Sequence, residues 1–312
     1  MDVNNGTVVT EFILLSFSGL GSRRSSLFWG VLCIYLVTLM GNLLIILLTL
    51  AEPALHSPMY FFLRHFSLLE ILYTTTIVPR MLADLLSSCP TISAASCFTQ
   101  MYFFALFGVT ECCLLTAMAY DRYVAICRPL HYSTVMNQCA CLGMVGASYL
   151  MGVITGTTHS IFIFPLSFHG THTIHHFMCD ILPVLRLASG NTFWGEVGNL
   201  GVTIAFILTP FLLIMASYAC ILVNILGMAS SQGRRKVFST CSSHLFVVLL
   251  FFGTATVAYT NPGAGSNQDT DQILTFFYTV VTPMFNPFVY TLRNKDVAEA
   301  MKRLVKRYFR NP

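Results

Sequence analysis

The chain has 312 residues, 55% of them hydrophobic and only 10% charged, against about 25% charged in soluble domains. That deficit excludes an ordinary water-soluble domain, and a formal net charge of +4 is no argument for a nucleic-acid partner. Seven apolar stretches recur at about 26–50, 58–86, 94–127, 140–163, 196–226, 235–259 and 270–292, each near the ~20 residues that cross a ~30 Å hydrocarbon core. They predict an all-α membrane protein, a seven-transmembrane helix bundle with a short amphipathic C-terminal helix. The expected organisation is an N-terminal segment 1–25, a bundle 26–292, and a helix and tail 293–312.

The segment "TEFILLSFSGL" before the first span is apolar but lacks the basic flank and small-residue cleavage site of a signal peptide. The first span is therefore expected to direct its own insertion. Lys and Arg set the orientation, because cytoplasmic loops retain them. Thirteen fall on one side: Arg64, Arg122, Arg128, Arg234, Arg235, Lys236 and the seven after Leu292. Four fall on the other: Arg23, Arg24, Arg80 and Arg186. The N-terminus is expected outside, where the sequon Asn5-Gly6-Thr7 is open to glycosylation. The C-terminus is expected in the cytosol, with the positive charge facing the inner leaflet.

Ionisable groups at membrane depth are costly, so each is a functional candidate. Glu70 lies in the second span, and Glu111 ten residues before Asp121 in the third. At 1.5 Å per residue both sit roughly 15 Å from the cytoplasmic face. Asn42 in the first span and Asn286 in the seventh fall at similar depth. This interior layer reads as a structural hydrogen-bonded network or as a site for a proton or sodium ion, since two adjacent carboxylates repel.

One connection is long, about 164–195, and holds "FHGTHTIHHFMCDI" with His169, His172, His175 and His176. Three readings stay open for it: a weak copper or zinc site, a pH sensor, or a solvated lid. In the tail, apolar Val297, Met301, Leu304, Val305, Tyr308 and Phe309 alternate at helical spacing with Lys302, Arg303, Lys306 and Arg307. Such a helix lies along a lipid surface.

The motifs, in order, resemble one family. "GN" (Gly41, Asn42) falls in the first span, "LHSPMYFFL" (55–63) opens the second and "MAYDRYVAIC" (118–127) closes the third. "SY" (Ser217, Tyr218) lies in the fifth, "KVFSTCSSHL" (236–245) opens the sixth and "PMFNPFVYTLRN" (283–294) ends the seventh. Together they resemble the vertebrate odorant receptors, within the rhodopsin-like G-protein-coupled receptors. The resemblance implies a small volatile odorant, a stimulatory olfactory-type G protein acting through cyclic AMP, and the lipid bilayer as partners. It implies a plasma-membrane protein that is not an enzyme and has no cofactor or metal.

By position in the family motifs, the ligand site would comprise Phe104, Ala105, Gly108, Val109 and Cys112, with His159 at the edge. Val202, Thr203, Phe206 and Ile207 would face them, with Phe252, Ala255, Thr256, Tyr259, Phe276 and Thr279 from the last two spans. This set has no charge and suits a neutral, mostly apolar molecule, since a charged ligand would lose its hydration without a counter-ion. The resemblance places switch and coupling roles on Asp121, Arg122, Tyr123, Tyr218, Asn286, Pro287 and Tyr290. No Asp or Glu occurs between Glu196 and Asp269, so the sixth span offers Arg122 no carboxylate, and Asp121 is its expected partner. It also has neither proline nor tryptophan between Arg235 and Tyr259. Glu70 and Phe252 stand where the family usually has Asp and Tyr.

The family pairs the positions of Cys97 and Cys179 in a disulfide. A second loop disulfide is usual there, but its positions hold His169 and Ser189, which predicts a looser lid. The alternatives are a seven-span ligand-gated ion channel, disfavoured by the charge asymmetry, and an intramembrane hydrolase, for which Glu70 and Glu111 lack a nucleophile.

Overall fold

A computed structural model describes residues 10–17, 23–168, 172–227, 231–260, 268–292 and 295–309. Asn5 and His169 lie outside the described residues, as does the side chain of Tyr290. Each expected span is a helix: α1 Arg24–Ala51, α2 Pro58–Leu86, α3 Ala94–Cys127, α4 Gln138–Ile163, α5 Phe193–Leu226, α6 Ser231–Thr260 and α7 over 268–292. A further helix, α8 Lys295–Phe309, carries the basic tail. Among the described residues α1, α3, α4 and α5 are each long and apolar enough to cross a membrane, and His244–Tyr259 adds a shorter apolar stretch in α6. α2 carries Arg64, His65 and Glu70 within its first half, and buries Glu70 inside the bundle.

Local chemistry sets the ends. Ser93 caps α3 by accepting from the Ser96 amide at 3.2 Å, and Asn137 caps α4 through the Ala140 amide at 2.9 Å. Both satisfy amides that a helix N-terminus leaves unpaired. α5 and α7 each contain one wide turn with i→i+5 bonding, at Ile204–Leu208 and Phe277–Val281. Each wide turn is followed within two residues by a proline, Pro210 or Pro283. A proline supplies no amide to the preceding turn, and the widened turn absorbs the mismatch.

α3 is the central helix and touches α2, α4, α5 and α6. Glycines set its tightest contact: a Cβ on Gly152 of α4 would collide with the Leu106 carbonyl and the Thr110 hydroxyl of α3. Across the bundle, a Cβ on Gly41 of α1 would meet the Pro287 ring of α7 at 2.6 Å.

At one end of the helical bundle two small sheets form. The three-stranded one has the order β2-β1-β4, with β1 Glu11–Leu14, β2 Thr91–Ser93 and β4 Thr173–Ile174. β1 runs antiparallel to β2 and parallel to β4. The second sheet pairs β3 Ser167–Phe168 with β5 Ala188–Ser189. Phe12 and Leu14, pointing to one face of β1, are buried with Ile92, Ile174 and Ile181 in a core separate from that of the bundle. At the opposite end, Val297 and Ala300 of α8 are buried while Lys302 and Arg303 are exposed. Arg303 pairs with Glu52, in the α1–α2 turn, at 3.6 Å.

Candidate functional site

Beneath the sheets, α3, α4, α5, α6 and α7 enclose a cavity of about 90 Å³, counted as space open to the centre of a water molecule. α3 supplies Phe104, Ala105, Gly108, Val109 and Cys112, one face at three- and four-residue spacing. His159 comes from α4, Val202, Thr203, Phe206 and Ile207 from α5, and Ala255 and Tyr259 from α6. The wide turn of α5 contains Phe206 and Ile207 and that of α7 contains Tyr278, so both turns aim aromatic side chains inward.

Four expected residues stand outside the cavity wall. Phe252 is fully buried, stacked 5.9 Å from Phe211, and its neighbour Phe251 faces the cavity instead. The α6 face is thus 251, 255 and 259, at strict i+4 spacing. Phe276 packs higher, edge-on to Phe17 and Phe177. Thr279 is buried and bonds its own helix at Thr275. Thr256 is not part of the wall either.

The expectation of an uncharged site is corrected by Asp180, which the loop delivers to the cavity wall. The Cys97–Cys179 disulfide, with Cα atoms 5.4 Å apart, fixes the preceding residue to α3. Gln100 of α3 accepts from the Cys179 amide at 2.9 Å. Asp180 Oδ1 accepts from the Ile181 amide at 2.7 Å, capping the short helix Ile181–Leu187. Its Oδ2 accepts from the Tyr259 hydroxyl at 3.4 Å, which in turn accepts from Tyr278 at 3.4 Å. Burial raises the Asp180 carboxyl to about 6; the Ile181 amide opposes this, the Asp271 charge adds to it, and Tyr259 opposes it.

The described loop histidines, His172, His175 and His176, do not form a cluster. His172 accepts from the Ile13 amide through its backbone carbonyl, and His175 is exposed. His176 is buried against the Phe177 ring at 4.6 Å, its Nδ1 accepting from the Met178 amide at 3.3 Å. Burial pushes its imidazole down to about 4, with the Met178 bond opposing. Among the described residues no three His, Cys, Asp or Glu side chains are arranged to hold a metal ion.

Deeper in the bundle, Asn42, Glu70, Glu111 and Asn286 are all buried. Asn286 Nδ2 donates to Glu70 Oε1, and Glu111 adjoins Glu70. Five oxygens of this layer, Asn42 Oδ1, Glu70 Oε2, both of Glu111 and Asn286 Oδ1, have no donor among the described residues. The layer is therefore a set of buried acceptors.

A ligand-sized cavity under a disulfide-tied loop, above a buried acceptor layer, is the architecture the motifs imply, and comparison with known proteins decides the family. The olfactory receptor family model matches residues 31–307. The chain belongs to the olfactory receptor family. This receptor is similar to olfactory receptor 10P22 of Mus musculus, 75% identical over 312 residues and all of both chains. It is 60% identical over 309 residues to olfactory receptor 10P1 of Homo sapiens, covering 99% of each. To olfactory receptor 10A7 of Homo sapiens it is 48% identical over 305 residues, 98% of this chain and 96% of that one. Olfactory receptors are multi-pass plasma-membrane G-protein-coupled receptors whose partners are odorants and G proteins, not enzymes. The ion-channel alternative has no support in these matches.

At the end of the receptor opposite the sheets, Arg122 pairs with Asp121 at 3.2 Å. Tyr132, in the segment after α3, donates to the other Asp121 oxygen at 2.8 Å. Tyr123 is half-buried and stacks on Tyr120. The Tyr218 hydroxyl bonds His244 Nδ1 at 2.6 Å, joining α5 to α6. The sequence singled out Tyr218 for this end but gave no reason to single out Tyr132 or His244. His244 lies in "KVFSTCSSHL" and Tyr132 five residues beyond "MAYDRYVAIC", and neither had a visible partner until the helices were placed.

Proposed function

We propose that the receptor binds a small, neutral, mostly apolar volatile molecule in this cavity and activates a stimulatory, olfactory-type G protein through cyclic AMP. The observation that carries the reading is the state of Asp180. Both of its oxygens are already bonded within the protein. A neutral ligand leaves those bonds intact, whereas an ammonium ligand must break them and shed its own hydration.

The twelve wall residues expected from sequence are the proposed contacts, and Asp121, Arg122, Tyr123, Tyr218, Asn286, Pro287 and Tyr290 the proposed coupling set. Ligand binding shifts the population toward the arrangement it binds better. In the resting receptor Arg122 is held by Asp121, which Tyr132 steadies by donating to its other oxygen, and α6 by the Tyr218–His244 bond. Release of these contacts would open the G-protein surface. The acceptor layer fits a hard cation such as sodium, or a proton shared between Glu70 and Glu111. The proposed topology keeps residues 1–25 and the sheets outside the cell, 26–292 as the bundle and 293–312 in the cytosol, supported by the charge asymmetry and by the basic exposed face of α8.

The test is a cyclic-AMP assay in cells that supply the G protein and trafficking factors, across a broad volatile panel, with surface labelling of the receptor. Responses confined to neutral ligands are expected. A panel dominated by amines, or silence at full surface expression, refutes the proposal. Glycan attachment at Asn5, lost in Asn5→Gln, checks the orientation.

A further inference from the structure

The wall of the cavity is polar where α4 meets α5. There, Ser160 donates to the Gly156 carbonyl and Thr203 to the Asn199 carbonyl, both at 2.9 Å. These hydroxyls are engaged within their own helices. His159 and Asn199 are not. His159 Nε2 is a buried ring nitrogen with no hydrogen-bond partner among the described residues. Asn199 is 7% exposed and lines the cavity, and among the described residues only its backbone carbonyl is engaged, by Thr203. Both residues line the cavity, one from each helix, and Thr155 lines it one turn from His159. The two helices pack against each other here, since a Cβ on Gly198 would touch the Phe162 ring at 3.7 Å.

At the other side of the cavity, Asp180, Tyr259 and Tyr278 bond one another. The polar groups that await a partner are therefore those on α4 and α5. Leaving buried polar groups unpaired is unfavourable, so a ligand that pairs them is selected.

We infer that His159 and Asn199 are the specificity-determining pair of the cavity, and that they recognise a hydroxyl, making the ligand an apolar alcohol or phenol. The inference rests on the proposed function and narrows its ligand class. The hydroxyl follows from donor and acceptor arithmetic. If Nε2 carries the ring proton, a hydroxyl accepts from it and donates to Asn199 Oδ1. If Nε2 is bare, the hydroxyl donates to it and accepts from Asn199 Nδ2. Either tautomer is satisfied. An aldehyde or ester only accepts, so it meets both groups only when Nε2 carries the proton and Asn199 turns its Nδ2 inward; an ether does the same with more bulk, and a hydrocarbon leaves both unmet.

The test uses the full-length receptor in cells, with surface labelling and cyclic-AMP readout. The probes are matched sets sharing one carbon skeleton: primary alcohol, aldehyde, methyl ether and hydrocarbon, over several ring and chain skeletons. The alcohol is expected to be the most potent in each responding set, by about tenfold over the methyl ether. His159→Phe and Asn199→Leu are each expected to raise the half-maximal concentration of the alcohol about tenfold while moving that of the ether less than about twofold. His159→Gln, which keeps a donor and an acceptor, restores the alcohol preference. An ether as potent as its alcohol, or variants that weaken alcohol and ether alike at equal surface expression, overturns the assignment while leaving the proposed function standing. Silence of every set in the surface-expressed wild type refutes the proposed function, and the assignment with it.

Discussion

The loop over the cavity holds two buried titratable side chains whose effects on its stability oppose each other. Asp180 has an ordinary value of 3.8 and is raised to about 6 in the closed loop. Closing the loop then takes up a proton, so this residue's contribution grows as pH falls through 6 and is complete below 3.8. His176 has an ordinary value of 6.5 and is lowered to about 4. Closing releases its proton, so its contribution is complete above 6.5 and is lost as pH falls toward 4. At 1.36 kcal/mol per pH unit, each window spans about 3 kcal/mol, with opposite sign. Between pH 6 and 4 the two nearly cancel, and the wild-type loop is expected to be almost indifferent to acid.

Single substitutions unmask each half. Asp180→Asn keeps an acceptor for the Ile181 amide and turns an amide donor toward the Tyr259 hydroxyl, but cannot take up the proton. Its loop is expected to open about a hundredfold more readily at pH 4 than at pH 6.5. His176→Asn keeps an acceptor for the Met178 amide without the ring's titration, and its loop is expected to tighten by a similar factor as pH falls from 6 to 4. The assay is amide hydrogen exchange over residues 173–181 in receptor held in nanodiscs, corrected for the intrinsic pH dependence of exchange. An Asp180→Asn profile as flat as the wild type, or a wild type that itself loses protection steeply in acid, refutes the reasoning.

Gly152→Ala places a methyl group against the Leu106 carbonyl and Thr110 hydroxyl; a cost of about 1–3 kcal/mol should appear as a lowered thermal midpoint and reduced surface expression. Phe12→Ala empties the core under β1 and should weaken the loop by about 3–5 kcal/mol, read as faster exchange over residues 173–181 with unchanged protection in α3. Tyr132→Phe removes the 2.8 Å bond to Asp121, and at about 1 kcal/mol should raise ligand-free cyclic AMP several-fold. Glu111→Gln brings an amide donor into the acceptor layer and removes one carboxylate, and should abolish any dependence of the half-maximal odorant concentration on sodium.

The bundle was legible because a hydrocarbon-spanning helix leaves a long compositional trace, and buried ionisable residues such as Glu70 and Glu111 stand out against it. The α3 and α5 walls of the cavity followed from position in the family motifs. On α6, Ala255 and Tyr259 line the cavity as expected, but Phe251 faces inward where Phe252 was expected, because two adjacent phenylalanines look alike in the sequence. The sheets were not legible: their strands have two to four residues, too few for an alternating pattern, and β1 lies inside a segment that sequence alone marks only as apolar. The wide turns in α5 and α7 had a visible signal in Pro210 and Pro283. Asp180 was the costliest omission, although its position next to Cys179 was a clue, since a residue beside a sulfur anchored to α3 is carried to the cavity roof.

The loop also shows what takes the place of the second disulfide. Ser189 stands at one of its two positions, and there β5 pairs with β3, Ser167 opposite Ser189 and Phe168 opposite Ala188. Phe168 then meets Phe12 at 5.4 Å and Phe98 at 6.1 Å, and Phe98 meets Phe164 at 5.1 Å. Aromatic pairs of this kind add about 0.5–1.5 kcal/mol each beyond their burial, so the expected loosening is opposed by backbone pairing and a ring cluster. The cluster has a second consequence. Phe98 and Phe164 are also part of the cavity wall, so the rings that fasten β1 to the loop shape the space a ligand enters. The loop's attachment and the pocket's outline are one structure, and a change in the N-terminal strand at Phe12 should alter which ligands fit as well as how firmly the loop is held.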